Sequence, residues 1–288
     1  RPMTLNPFLC SRAPMATLAL LCIVSGCDGT VEPSPRDQGN IVIIDPPPIC
    51  VPTGTTTRYR VTTLHIPTPD EATANAVVGH NVDGVGDTCG VPDYDGGVDN
   101  SLIDLAAALP ALAPDDPIDL QTEIDNALSC AADADPAECT RLDLIVSVQT
   151  GSGCVVVNVL DGDDEVLAGP YTGTLGSDGT ARGRVSALAL AIPYQGDGGS
   201  VNINLEVTNV ILTANLDATS LSDIVLGGSL ERAAFEATIM DLLQLLGDGI
   251  AFEDIQAILE NLYDVQIGGT CSALSVGLTG SATLAAAP

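Results

Sequence analysis

The sequence predicts an α+β protein with a mostly antiparallel β-sheet or sandwich core and two pairs of helices. Hydrophobic residues make up 45% of the 288 residues, which is enough for a sizeable core, but aromatic residues make up only 3%. The core must therefore be aliphatic. Apolar residues recur at helical spacing in two regions and alternate with polar residues elsewhere. One predicted helix pair precedes the main block of strands, and the other lies between the last two predicted strands.

The first elements are a strand and a helix pair. Residues 57–66 are rich in Thr and β-branched residues and predict a strand. A capping-box pattern at 101–104 predicts a short helix that ends near Pro110. Asp116 is the expected N-cap of the second helix, with Pro117 at its first position.

From Arg141 onward the apolar period changes from 3.6 to 2, which predicts strands. The acidic turn 161–164 separates two of them. The predicted strands are 142–148, 154–160, 185–192, 201–207, 210–216, 224–230 and 274–278. Helices 231–246 and 252–263 form the second pair, and we expect them to pack on the core. The alternative is a partner-binding surface.

The N-terminal region predicts export. Residues 15–24 are an apolar run, much shorter than the ~20 residues of a membrane span. The run leads into Val24-Ser25-Gly26-Cys27, which resembles the lipobox of bacterial lipoproteins. The resemblance implies that residues 1–26 are a signal peptide and that Cys27 is diacylated. Residues 27–56 then read as a Pro-rich tether, followed by one globular domain at 57–288.

The cysteines predict an oxidising compartment. Cys10 and Cys22 leave with the signal peptide and Cys27 takes the lipid. An even number remains, which predicts three disulfides. The six are Cys50, Cys89, Cys130, Cys139, Cys154 and Cys271. Cys130–Cys139 is the most local pair, and we assign the others as Cys50–Cys89 and Cys154–Cys271.

The formal net charge of −29 bears on the partners. Such a charge repels nucleic acid and anionic membrane surfaces and attracts divalent cations. The scarcity of aromatic rings also disfavours single-strand nucleic-acid and carbohydrate binding. Solubility alone is the alternative explanation of the charge. We therefore expect no nucleic-acid partner.

The acidic loop 79–99 holds two Asp/Gly-rich half-loops. The first, at 79–89, resembles one thrombospondin type 3 calcium repeat, although Gly79 stands where that family has Asp. The second repeats the core pattern at 93–99. The resemblance implies calcium, held by side chains and one backbone carbonyl. The implied ligands are Asn81, Asp83, Val85, Asp87, Asp93, Asp95 and Asp99. Ordinary solvated turns are the alternative explanation of loop 79–99. Asp161, Asp163 and Glu165 form a second, weaker candidate calcium site.

No catalytic residue is assigned. The serine-hydrolase elbow and the common metal- and nucleotide-binding motifs are absent from the sequence. The expected function is an exported, calcium-stabilised cell-envelope lipoprotein that acts as a binding or structural module. It would be held to the membrane by its N-terminal lipid and could contact an envelope protein. The alternatives are an envelope hydrolase with carboxylate or metal chemistry, and a docking scaffold using helices 231–263. The oligomeric state stays open.

Lipidation gives the first prediction. Expression in a Gram-negative host that processes lipoproteins should yield a membrane-associated product, because acyl chains partition into the bilayer. Mass spectrometry should find diacylglycerol on Cys27 at the mature N-terminus. Cys27→Ser should abolish both the modification and the membrane association, whereas Cys22→Ser should change neither. A soluble mature chain with another N-terminus would refute the assignment.

Overall fold

The computed structural model describes residues 50–286, except 75, 87–88, 90, 113–116, 132–133, 136–138, 197–198 and 247–250. The signal peptide, Cys27 and tether residues up to 49 lie outside the described residues. The strands are β1 (Pro52–His65), β2 (Ile145–Gly151), β3 (Cys154–Leu160), β4 (Val166–Leu175), β5 (Thr180–Gly196), β6 (Gly199–Leu216), β7 (Ser220–Glu231), β8 (Val265–Ile267) and β9 (Thr270–Leu284). The helices are α1 (Pro69–Thr73), α2 (Leu102–Leu112), α3 (Leu120–Ser129), α4 (Arg232–Leu246) and α5 (Phe252–Leu259).

The strands form one antiparallel sheet that closes on itself. Its order is β1-β2-β3-β4-β5-β6-β7-β9-β8, and β1 also pairs with β9. Eight strands therefore complete a cylinder, here called the closed sheet, while the short β8 forms a hairpin with β9 outside the ring. The mostly antiparallel sheet is confirmed. It is a single closed sheet rather than a two-sheet sandwich.

Strand alternation explains which residues face the interior. In β9, Leu274, Val276 and Leu278 are buried in the main core. The residues between them, such as Ser275 and Gly277, are small and also buried, so other chain segments must cover the outer face. A strand that is buried on both faces needs apolar side chains toward the core and small residues where another chain segment packs on its outer face.

The helices pack on strands. Phe235, Ile239 and Leu242 of α4 are buried in the main core, and α4 lies against β6. Similarly, α2 contacts β9, and α3 contacts both β1 and β5. The expected arrangement in two helix pairs is thus not confirmed. The start of α3 also differs, because the N-cap is Asp119, whose side chain accepts hydrogen bonds from Gln121 N and Thr122 N.

Several strands differ from the predictions, and three of the differences affect the sheet most. β4 was not predicted. β6 is one strand where two were expected, with Asn209 at a φ of 52° in an irregular stretch of its pairing with β7. β1 begins at Pro52 rather than residue 57, so 52–56 pairs with β2 and belongs to the sheet.

The six cysteines form three disulfides, as predicted, and the Cys130–Cys139 pair is confirmed. The other two assignments are wrong. Cys50 bonds to Cys154, and Cys89 bonds to Cys271. The reason is topological: β1 lies beside β2, whose hairpin with β3 brings Cys154 close, and the acidic loop lies beside the β8–β9 hairpin.

The packing of α3 on the sheet gives a second prediction. Ile124 is fully buried at this contact, while Asn126 two residues later is exposed. Ile124→Ala should lower the free energy of unfolding by about 2–5 kcal/mol through lost burial and a residual cavity. Asn126→Ala, on the opposite face, should change it by less than about 0.5 kcal/mol. Urea unfolding of the three proteins checks this, and equal effects would contradict the packing.

Candidate functional site

The middle part of one edge of β9 has no strand beside it. Strand β8 pairs with β9 only up to Ala273, and β1 pairs only from Thr279 onward. The backbone groups between them are buried and must be hydrogen-bonded. Side chains supply the bonds. The Asn100 amide accepts from Gly277 N at 2.8 Å and donates to Gly277 O at 3.1 Å, and the Asp264 carboxylate accepts from Ser275 N at 2.8 Å.

The acidic loop lies against this edge and over the outer face of β7 and β9. Asn100 also donates to Val78 O at 2.6 Å, which joins the two ends of the loop region. Gly227 and Gly277 pair with each other beneath the loop. A Cβ at Gly277 would collide with the Asn100 amide and Val78 O, and one at Gly227 would meet His80. Glycine at both positions therefore permits the acidic loop to lie directly on the backbone of β7 and β9.

The first half-loop is held by its own carboxylates and amides. Asn81 Oδ1 accepts from Gly84 N at 2.6 Å, and Asp83 Oδ1 accepts from Val85 N at 2.9 Å. Asp83 Oδ2 accepts from Gln266 N of β8 at 3.0 Å, and Asp99 Oδ2 accepts from Val82 N at 2.6 Å. The Cys89–Cys271 disulfide joins the same loop to β9. The loop is thus fixed to the β8–β9 hairpin by two independent links.

Four carboxylates lie near one another at this junction. Burial, together with the smaller effects of the charges of Asp93, Asp83 and Asp264, raises the pKa of Asp99 to about 8, against the lowering effect of the Val82 hydrogen bond. Burial also raises the pKa of Asp264, although Ser275 hydrogen-bonds to it. The buried Asp99 and Asp264 therefore favour their protonated, neutral forms, whereas Asp83 and Asp93 beside them are half-buried.

The second half-loop contributes Asp93 and Asp99 to this junction, whereas the turn between them does not. Tyr94 to Val98 is a tight turn in which Tyr94 N donates to Val98 O and Gly97 N donates to Tyr94 O. Asp95 lies exposed in that turn and is not among the charges that act on Asp99. Asp87 lies outside the described residues. Within the described part of the chain, no three His, Cys, Asp or Glu side chains are already arranged as a metal-ligand set.

The two histidines of the sequence and the weaker calcium candidate at 161–165 have structural contacts. His80 is buried, and its Nε2 lies 3.3 Å from Val225 O of β7. His65 contacts Glu71 at 2.9 Å. Asp161 accepts from Asp163 N and Glu165 N and so closes the β3–β4 hairpin tip. This arrangement favours a turn over the weaker calcium candidate.

Three residues of the site were not found from the sequence: Asn100, Asp264 and Ser275. Asn100 directly follows the predicted ligand Asp99 and could have been flagged as an extension of the loop. Asp264 and Ser275 carry no local signal, because they reach the loop only through the pairing of β8 and β9.

Comparison with known proteins adds no family or function. Neither protein-family models, nor curated proteins, nor solved structures gave a match to this chain. None of the helices in the described residues has the length and hydropathy that a membrane span requires.

The electrostatics of the junction predict a pH effect in the presence of a chelator. The folded-state pKa of Asp99, about 8, lies above its ordinary value of 3.8. The folded state therefore retains a proton that the unfolded state loses, and the free energy of unfolding should fall as the pH rises from about 4 to 8. Asp99→Asn keeps the oxygen that accepts from Val82 N and should flatten this decline. Urea midpoints at pH 5 and pH 8 check it, with exposed Asp163→Asn as the control. An unchanged slope in Asp99→Asn would contradict the assignment.

Proposed function

We propose that this chain is an exported, lipid-anchored module of the cell envelope whose fold is stabilised by a calcium ion at the acidic loop. The observation that carries the proposal is the proximity of Asp83, Asp93 and Asp264 to the buried Asp99 at the junction of the loop and the closed sheet. Oxygen ligands of this kind suit calcium. The three disulfides are compatible with export.

The donor set fits calcium in its chemistry. Each carboxylate that accepts a backbone hydrogen bond has further lone pairs for a cation. A divalent ion would favour the ionised form of Asp99 and offset the repulsion between these acids. Ion binding would require the side chains of Asp83, Asp93 and Asp99 to turn toward a common point. Val85 O, Asn81 and Asp87 are the further ligands that the repeat-like sequence suggests.

A structural role suits these contacts better than catalysis. Asp83 and Asp264 accept hydrogen bonds from the backbone of β8 and β9 and so attach the loop to the sheet. An ion that orders the loop would therefore also stabilise the free edge of β9. The ion's contribution follows from mass action: at roughly 1 mM calcium, a Kd near 10⁻⁴ M stabilises the folded state by about 1.4 kcal/mol.

The docking alternative is less well supported. The apolar faces of α4 and α5 pack inward, with Phe235, Ile239, Ile255 and Leu259 all buried. Among the described side chains of these helices, Met240 is the large apolar one that is exposed, at 43%. A helix pair used for docking needs a larger apolar surface.

Thermal unfolding in calcium and in chelator tests the proposal. Calcium should raise the melting temperature by several degrees, because it binds the folded state. Asp83→Asn with Asp99→Asn should abolish the shift, since two carboxylate ligands are lost while the side-chain oxygens remain. Asp161→Asn with Asp163→Asn, at the β3–β4 hairpin tip, should retain it. Equal melting temperatures in calcium and in chelator, with no heat of binding by calorimetry, would refute the calcium site.

A further inference from the structure

The interior of the closed sheet contains an apolar cavity. All eight strands of the cylinder contribute to its wall, and its volume is about 80 Å³. The lining side chains are Val, Leu, Ile and Ala, with Tyr171 as the single residue that carries a polar atom. The Tyr171 hydroxyl donates to Ala187 O at 3.2 Å, so its hydrogen bond is already made. The cavity therefore offers no hydrogen-bonding group to water or to a charged ligand.

Several lining side chains are incompletely buried. Val61, Val146, Val159, Leu212 and Ile224 line the cavity but are only partly buried, because no protein atoms fill the space between them. A well-packed interior leaves few voids of this size. Apolar cavities of this kind stay dry and can bind small apolar molecules.

The wall of the cylinder is open between β4 and β5. These strands pair only from Gly173 to Leu175 with Ala181 to Gly183. Beyond Gly183, β5 has no pairing with β4 in the described residues, and Tyr171 spans the distance to Ala187 with its side chain. Pro170 lies on this stretch of β4, where its missing N–H costs no ladder bond.

A second, smaller pocket adjoins the cavity beside the paired stretch of β4 and β5. Its volume is about 30 Å³, and its lining includes the paired Gly173 and Gly183. It shares Val157, Tyr171, Val185 and Leu212 with the larger cavity. Tyr171 therefore borders both pockets and lies next to the position where the pairing of β4 with β5 ends.

We propose that the closed sheet binds a small, uncharged, apolar molecule, which reaches the cavity between β4 and β5 past Tyr171. A charged ligand would lose its hydration without gaining a partner in this lining. The net charge of −29 further disfavours anions. The volume of about 80 Å³ is about half that of a roughly 150 Å³ apolar cavity that binds benzene or xenon, so the cavity suits a molecule smaller than an aromatic ring. This inference does not depend on the calcium site.

Xenon is the probe for the first test, because it is apolar and smaller than an aromatic ring. Titration of the disulfide-bonded protein with dissolved xenon should shift the methyl NMR signals of lining Val and Leu residues in a saturable way. Ala214→Leu fills the cavity from β6 and should weaken xenon binding at least tenfold. Ala189→Leu is the matched control, because Ala189 is exposed on the outer face of β5, and it should bind as the parent does. Leu212→Phe is a second filling variant, should Ala214→Leu fail to fold.

The route is tested separately with Tyr171→Phe. This variant keeps the ring but loses the hydrogen bond to Ala187 O, so ligand exchange should become at least threefold faster while Kd changes less than twofold. An unchanged exchange rate would overturn the route. Xenon-induced shifts that are absent, or equal in the parent and in a folded filling variant, would overturn the cavity as a binding site. Neither result bears on the calcium-dependent melting temperature, so the two proposals fail independently.

Discussion

The fold depends on the need of β9 for hydrogen-bond partners on both edges. β7 pairs with β9 along one edge. On the other edge, β8 pairs with β9 up to Ala273 and β1 pairs with it from Thr279, so no strand lies beside the residues between them. A buried backbone group without a partner costs about 1–3 kcal/mol. The Asn100 amide and the Asp264 carboxylate fill the gap, so the acidic loop has to lie at this place. The loop is therefore part of the closure of the sheet, although it contributes no strand.

This closure creates an electrostatic conflict. Asp264 satisfies a backbone N–H of β9, and Asp99 fixes the loop that leads to Asn100, so both carboxylates are buried near each other. Burial favours their protonated forms, whereas the neighbouring Asp83 and Asp93 add further negative charge. Local conflicts of this type are expected at functional sites. Either a proton or the proposed calcium ion would resolve this one, so the proposed site would link loop order to both pH and calcium.

The sequence predicted those features that depend on local pattern. β3 was predicted at its observed residues, and α4 to within one residue, because both have a strong apolar period. β4 was missed because Gly169, Pro170 and Gly173 give it a weak strand propensity. Features set by topology could not be predicted: the closure of β1 on β9, two of the three disulfides, and Asp264 beside the loop. Each joins segments that are far apart in the chain and share no local signal.

The inner and outer faces of β7 and β9 impose opposite demands on adjacent residues. Leu226 and Leu278 line the cavity, whereas the neighbouring Gly227 and Gly277 admit the loop outside. A void of about 80 Å³ lowers the free energy of unfolding by about 2 kcal/mol at ~24 cal/mol per Å³. A larger side chain at Ala214 would remove that cost. The Cys89–Cys271 disulfide and the hydrogen bonds of the acidic loop stabilise the closed sheet at its outer face. The fold therefore depends less on complete packing of its interior. The interior can then remain partly empty, which is the condition that a ligand-binding cavity requires.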